Sequence, residues 1–517
     1  MIPFAAPVDD ILFSMEDVAG AAKLPEWDSD LARDILTAFT AFAEGVIAPL
    51  NEPGDTEGCR LADGKVLMPE GFGDGFSQLA EMGWQGLTAP ETHGGMQQGP
   101  LVAAMVSEVF SGANHSMQMV CNLVPGAIST LLKSGTGAQQ AKWIPKLASG
   151  EALSTMGLTE PGAGSDLSRV RTKAVRAGDA WRLNGEKIFI SGGDQDMSQD
   201  ILHLVLARSG VPEDGVKGLS LFLTSKLAAG DTVKVTRIEE KLGLHASPTC
   251  QMAFDDAPAE LVGAESEGLK AMFTLMNHAR LDVALQGAAH AARAHAIAAA
   301  YAADRKQGRK ADGSPAVLSD HADVRRMLGE QRSLAIGARA MAHVALVEMS
   351  KGESPALADF LTPLCKVFCT EAGIRAADLG IQILGGYGYM TEYGISQVWR
   401  DARITSIYEG ANGIQEAALA TRGLRDPSGA DAFDALIGRL TSHLAVMAQR
   451  DTWRAARAAV AASDNPLELA HDFSRATTGL FYRAVWARIG DVSGDPELKN
   501  LSKAVLTPPP DWLARSA

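Results

Sequence analysis

The chain has 517 residues, 46% of them apolar and 21% charged, which is too long for one ordinary core and rules out whole-chain disorder or a fibrous repeat. Its 47 basic and 62 acidic residues give a formal charge of −15, and no Lys/Arg run is long enough to track a phosphate backbone, which excludes nucleic acid as a partner. No apolar run approaches the roughly 18 residues that span a bilayer, and the amino terminus carries acids where a signal peptide needs a basic start. A soluble cytoplasmic protein of two to four packed units, with no membrane segment, is therefore expected.

Residues 1–154 form the first expected unit and read as all-α. "DILTAFTAFAEGVIAPL" and "LVAAMVSEVF" carry apolar residues at helical spacing, and "KSGTGAQQAKWIPKLASG" reads as a helix boundary with a glycine-rich turn. A β-domain, barrel or sandwich, is expected over 155–266. There "WRLNGEKIFI" reads as two strands around an Asn184-Gly185 turn, and "ILHLVLARS", "GLSLFLTS", "DTVKVTRI" and "CQMAFDD" follow as further strands. Over 267–424 the helical period returns in an alanine-rich stretch from Arg280 to Asp304 and another from Ser319 to Glu348. Met327, Leu334 and Met341 fall seven apart there on one face, as in a bundle of long antiparallel helices. Residues 425–517 read as an appended helical unit ending in a proline run, "LTPPPDWLARSA". The class expected is α+β: an all-α amino-terminal domain, a central β-domain, a carboxy-terminal four-helix bundle and appended helices.

Five cysteines, an odd number, argue against a disulfide framework. Cys365 and Cys369 in "LCKVFCT" share a helix face with no second pair or nearby histidine, so two reduced core thiols are expected and no metal. His278, His290 and His295 lie on helices without ligand spacing, and packing accounts for them.

Three segments are too particular for plain scaffold. "LTEPGAGSD" (158–166) leads into the β-domain, and its glycines with Thr159 and Ser165 let backbone amides and hydroxyls approach an anionic or carbonyl-rich ligand; a plain turn explains many such strings. "QILGGYGY" (382–389) raises the same two readings after a helix. "SIYEGANGIQ" (406–415) sets one carboxylate, Glu409, between an aromatic ring and a glycine, with no other acid in the segment; alone it also reads as a helix-start or surface acid.

These motifs in this order resemble the acyl-CoA dehydrogenase family across roughly residues 30 to 422. "NHARLDVALQGAAHAA", the amino-terminal "APVDDILFSMEDV" and the extra carboxy-terminal helices resemble its longer bacterial branch, in which 3-methylmercaptopropionyl-CoA is one substrate. The resemblance implies α,β-dehydrogenation of an acyl-CoA thioester to the 2-enoyl-CoA, with FAD as cofactor. Glu409 matches the family's base for the α proton, and FAD takes the β hydride. A thioester α proton is weakly acidic, so the base must be desolvated and the enolate oxygen met by donors, here the flavin's ribityl hydroxyl and the Glu409 amide.

By the same resemblance Met156, Leu158, Thr159, Gly164 and Ser165 line the flavin, and Ser165 also lies near the CoA side of the thioester. Phe189 and Ser191 fall where the family has Trp and Thr against the isoalloxazine, with strand packing as the plain alternative. Arg280 aligns with an arginine close to the bound acyl-CoA. Arg305 aligns with the arginine that reaches the flavin pyrophosphate of a neighbouring subunit, and Gln382 and Gly386 match positions near that flavin's adenine end; a solvated helix arginine is the alternative for each arginine. The implied partners are an acyl-CoA, an electron-transfer flavoprotein as acceptor and a second copy of the chain, in a homodimer or a dimer of dimers. Two departures affect the cofactor: Ala411 stands where the family usually has Thr, and "RKQGR" lacks the family's aromatic. An acyl-CoA oxidase of the same fold and a catalytically silent CoA-binding scaffold are the competing readings.

Overall fold

The computed structural model describes residues 2–178 and 180–507, with the side chains of 273–278 left aside. It divides into two compact units, one of Met1–Thr40 with Arg280–Ala517 and the other Ala41–Ala279. Among the described residues no helix is long and apolar enough to cross a membrane. The expected proline run at 508–510 lies outside the described residues, as does the side chain of His278.

Helix α1 (Ser29–Phe42) carries the expected "DILTAFTAF" pattern and continues as tighter and wider turns through Ala43–Leu50. The unit of residues 41–279 then adds a hairpin, β1 (Arg60–Ala62) with β2 (Lys65–Leu67), that helical periodicity did not foretell; β1 is exposed, while Val66 of β2 is buried. The unit's longer helices are α2 (Phe72–Glu81), α3 (Pro100–Cys121), α4 (Leu123–Ser134) and α5 (Gly137–Ala148). The glycine-rich boundary before α5 is a capping box: Thr136 Oγ1 accepts from the Gln139 amide at 3.2 Å and Gln139 Oε1 accepts from the Thr136 amide at 3.0 Å.

Seven strands follow: β3 (Ala152–Gly157), β4 (Lys173–Ala177), β5 (Ala180–Ser191), β6 (Asp200–Arg208), β7 (Leu219–Ser225), β8 (Val233–Ile238) and β9 (Thr249–Val262). They pair in the order β3-β6-β4-β5-β9-β7, and β7 returns to β6, so the sheet closes on itself with β8 added along β9. Closure buries both faces of β6, whose nine residues are all buried, which is why "ILHLVLARS" reads as a nearly unbroken apolar run instead of an alternation. Trp181, Leu183, Ile190, Val205, Phe222, Met252 and Phe254 fill the centre.

The Asn184-Gly185 turn is corrected. β5 runs straight through it, and β4 and β5 instead pair antiparallel from Ala177 and Ala180 onward. Gly185 instead sits at a register shift against β9 with φ +148°, where an added Cβ would lie 2.7 Å from the Thr172 Cα. Asn184 Oδ1 accepts from the Asp256 amide at 2.9 Å. A bulge against a neighbouring strand uses the same left-handed freedom that a hairpin turn needs.

The unit of 1–40 and 280–517 is helical: α6 (Gly268–Asp304), of which it holds 280–304, then α7 (Ala322–Lys351), α8 (Pro355–Leu384), α9 (Ile395–Ala402), α10 (Asn412–Ala420), α11 (Ser428–Leu440), α12 (Leu444–Ala461), α13 (Ala470–Val492) and α14 (Pro496–Leu506). A small exposed hairpin, β10 (Lys306–Arg309) with β11 (Pro315–Val317), absorbs the "RKQGR" segment. On α7 Met327 and Met341 are buried and Leu334 half-buried, as the seven-residue spacing requires. Cys365 and Cys369 are fully buried thiols that donate to the carbonyls of Met341 (3.4 Å) and Ala338 (3.3 Å), so their four-residue spacing presents one face of α8 to α7.

α6 and α8 cross at two glycines. A Cβ on Gly287 would lie 2.3 Å from the Cys369 carbonyl oxygen, and one on Gly373 would lie 2.6 Å from the Gly287 oxygen. Backbone blocks both positions, so the helices must separate if either side chain grows. Gly287→Ala is accordingly expected to cost about 1–3 kcal/mol by overpacking, seen as a lower urea midpoint at unchanged slope; a midpoint equal to wild type would show that the crossing can open freely.

Candidate active site

Glu409 follows a tight turn, Arg403–Ser406, and precedes α10. It is left-handed at φ +53°, and the next residue, Gly410, at φ +92°. Glutamate adopts that region at a cost, so the surrounding packing must hold it there. Gly410 is needed on two counts, because a Cβ would also lie 2.3 Å from the Gln415 Nε2. Upstream, the Tyr408 hydroxyl donates to Gln286 Oε1, and Gln286 Nε2 donates to Asp282 Oδ2 at 3.0 Å, tying the loop to α6.

The residue as a whole is half-buried, yet enough protein surrounds its carboxyl to push the pKa up to about 6. Desolvation is the main cause, the charges of Arg280 and Lys366 oppose it, and Asp282 adds to it. Lys366 on α8 is fully buried; burial pulls its ammonium down to about 8, with Glu409 opposing. Arg280 is likewise lowered from its ordinary value by burial, again opposed by Glu409. At neutral pH the site therefore holds an ionised but desolvated carboxylate between two cations.

The unit of 41–279 carries the second set. Glu160, buried at the root of the 158–166 loop, accepts from the amides of Arg171 (2.7 Å) and Thr172 (3.0 Å) and from Lys187 Nζ (2.8 Å). Lys187 is fully buried and also donates to the Leu158 carbonyl at 3.1 Å. Burial pushes the Glu160 carboxyl up, but the Lys187 charge and these hydrogen bonds outweigh it and hold it below the ordinary carboxylate range. The loop's root is thus pinned while its tip is open: Gly164 and Ser165 are exposed, and nothing lies within 4 Å of where a Cβ on Gly162 or Gly164 would stand.

β5 lies against that root, the Ile188 amide donating to the Thr159 carbonyl at 2.9 Å. Phe189, within a register shift of β5, has φ +59° and is 60% exposed. A large aromatic in a left-handed conformation facing outward marks a functional constraint better than strand packing. Met156, Leu158, Thr159 and Ser191 are half-buried.

Arg305, Gln382 and Gly386 are all exposed, and the Arg305 guanidinium lies 5.2 Å from the centre of the Tyr387 ring. Tyr387 packs in turn on Tyr301 and Tyr393, at centroid distances of 6.3 and 5.0 Å. Ala411 is the N-cap of α10 and supplies no side-chain cap. His290 is buried and His295 half-buried, and desolvation lowers both to about 4, so they are neutral packing residues.

The structure brings Glu409 and Arg280 together, gathers the 156–165 positions with Phe189 and Ser191 in one unit, and sets Arg305 beside the "GGYGY" turn. Sequence reading missed Lys366, Asp282, Gln286 and the Glu160–Lys187 pair. One signal was available: a lone lysine between the two core cysteines of "LCKVFCT" is a charge on a buried face.

Models of the acyl-CoA dehydrogenase family match three stretches of the chain: the N-terminal domain over residues 29–151, the middle domain over 155–257 and the C-terminal domain over 266–424. The 3-methylmercaptopropionyl-CoA dehydrogenase of Ruegeria pomeroyi is 43% identical over 446 residues, 81% of this chain and 76% of that one. The broad-specificity linear acyl-CoA dehydrogenase FadE5 of Mycobacterium tuberculosis is 34% identical over 456 residues, 80% and 74% of the two chains. Among solved structures, butyryl-CoA dehydrogenase from Megasphaera elsdenii overlays with a TM-score of 0.67 at 26% identity, covering 76% of this chain and 97% of that one.

Removing Lys187 leaves the Glu160 carboxylate buried beside two amides alone. Lys187→Met is expected to cost roughly 3–5 kcal/mol, measured by urea unfolding, and Lys187→Met/Glu160→Gln to recover most of it. A single-variant cost under about 1 kcal/mol would show that water already reaches the pair.

Proposed function

The chain belongs to the acyl-CoA dehydrogenase family and dehydrogenates an acyl-CoA, and from that premise we propose that Glu409 is the base that takes the α proton of the thioester. The observation that carries this is the left-handed, desolvated carboxyl with its pKa at about 6, set between Arg280 and Lys366. A base of that pKa is ionised at neutral pH and has lost the hydration that would weaken it. Arg280 and Lys366 keep the carboxylate ionised and ready to accept the proton, and Arg280 is assigned to the acyl-CoA.

The residues present fit FAD. The exposed Phe189 offers a flat apolar face, Ser191 a hydroxyl, and the open tip of the 158–166 loop lets backbone amides and the Thr159 and Ser165 hydroxyls meet polar edges. When bound, FAD supplies the acceptor for the hydride from the β carbon. Met156, Leu158, Thr159, Gly164, Ser165, Phe189 and Ser191 are assigned to it, with Ser165 also toward the CoA. Arg305, Gln382 and Gly386 are assigned to the FAD of a neighbouring copy, which makes the active protein a homo-oligomer; their common exposure supports this.

The likeness to the Ruegeria pomeroyi enzyme supports 3-methylmercaptopropionyl-CoA as substrate and an acyl-CoA catabolic role in the cytoplasm. A panel of straight, branched and thioether acyl-CoAs, scored by flavin bleaching, tests it. Electron-transfer flavoprotein is the acceptor proposed, and peroxide released without any acceptor would point to an oxidase. The four-part organisation 1–154, 155–266, 267–424 and 425–517 is retained as a proposal.

Glu409→Gln is expected to keep the flavin and to slow bleaching by acyl-CoA at least roughly 10²–10⁴-fold; turnover near wild type would place the base elsewhere. In the wild-type protein the bleaching rate is expected to rise with pH through about 6, because only the ionised carboxyl accepts a proton, and to level off near neutrality. Ala411→Thr restores an N-cap hydroxyl to α10, an exchange worth about 1 kcal/mol in other helices. It is expected to raise the melting temperature and to slow flavin loss in gel filtration, and neither change would mean the cap is already satisfied another way.

A further inference from the structure

The appended helix α13 reaches the base through a chain of side chains. Arg475 donates through both terminal nitrogens to Glu371 on α8, at 2.7 Å from Nη2 to Oε1. That same Glu371 Oε1 accepts from Asn412 Nδ2 at 3.2 Å, as does Thr370 Oγ1 at 3.2 Å. Asn412 Oδ1, in turn, accepts from Lys366 Nζ at 2.9 Å. Asn412 is the first residue of α10 and stands three after Glu409. Next along α10, the buried Glu416 meets His471 of α13 at 3.2 Å.

Resting on the reading of Glu409 as the base, we propose that Arg475 is a positioning residue for it: by occupying both oxygens of Glu371, it keeps the Lys366 ammonium directed to Asn412 and its charge available to Glu409. Lys366 faces two carboxylates, Glu409 and Glu371, as well as the Arg280 guanidinium. Lys366 and Glu371 meet at the two ends of one side-chain amide, that of Asn412, so without Arg475 the Glu371 carboxylate competes with Glu409 for the ammonium. Glu409 is faced by Arg280 and Asp282 from α6 and by Lys366 from α8, with Tyr408 beside it in the loop; Asp359 and Arg422 act on Arg280. Losing part of the Lys366 charge leaves burial and Asp282 less opposed, so the Glu409 carboxyl titrates at higher pH.

The test follows the Glu409 carboxyl directly by infrared difference titration, its band identified by loss in Glu409→Gln, and in parallel the pH dependence of flavin bleaching by acyl-CoA in a single turnover. Arg475→Gln, a change at a half-exposed position, is expected to move the carboxyl midpoint and the acid limb of the rate upward together by about half to one pH unit. Arg475→Lys is expected to return at least half of the shift. Arg475→Gln/Glu371→Gln is expected to cancel it, since the competing carboxylate is gone. A midpoint unmoved in Arg475→Gln, with only the melting temperature lowered, overturns the proposal, and so does a shift that survives in the double variant. Glu409→Gln that still bleaches overturns the base reading itself, whereas an inactive Glu409→Gln with an unmoved Arg475→Gln midpoint overturns the positioning role alone.

Discussion

A carboxylate that must accept a proton from carbon has to be short of water and still ionised, and the two demands pull its pKa in opposite directions. Around Glu409 burial raises the value and the charges of Arg280 and Lys366 lower it, with a balance near 6. Neither side can be dropped: full burial without the cations would leave a neutral acid at pH 7, and the cations without burial would leave an ordinary weak base. α6 and α8 must cross closely enough to bring Arg280 and Lys366 to one carboxyl, and the glycines at 287 and 373 permit that approach.

Glu160 shows what the same side chain does when it is structural. It too lies beside a buried lysine, but it also accepts two backbone amides, and its carboxyl is held below the ordinary range. The difference between the two acids is hydrogen bonding. A carboxylate saturated by fixed donors pins the root of a loop, whereas one governed by charge and desolvation keeps its affinity for a proton. The loop that Glu160 anchors and the adjoining β5 present an open tip and the Phe189 ring within their own unit.

How far the residues alone disclosed this depends on what kind of pattern was needed. Period-two and unbroken apolar runs gave away β6 to β9, and helical spacing gave away α7, since burial is imposed residue by residue along each element. Asn184-Gly185 misled because its left-handed freedom serves a bulge as well as a turn, and the partner strand that decides between them, β9, is some seventy residues away. Glu409 was legible as a motif residue, but its left-handed backbone and its charge partners were not: Arg280, Asp282 and Lys366 come from helices distant in sequence, and no local spacing encodes their convergence. Phe189 is the intermediate case, an aromatic whose outward ring became informative only once its φ of +59° was known.

The carboxy-terminal helices are the part whose purpose the motifs left blank, and packing supplies one. α13 buries Phe473, Leu480, Phe481 and Trp486, and its Tyr482 lies 4.8 Å from Phe368 of α8, centroid to centroid. A helix anchored by that much apolar surface can hold Arg475 and His471 in place at little further entropic cost. α10 needs such support, because its own N-cap is an alanine and gives its first turn no side-chain acceptor. Contacts from α8 and α13 to the side chains of Asn412 and Glu416 hold this helix without supplying the missing cap, so the loop that carries Glu409 is braced by Lys366, Glu371 and His471, residues distant in sequence.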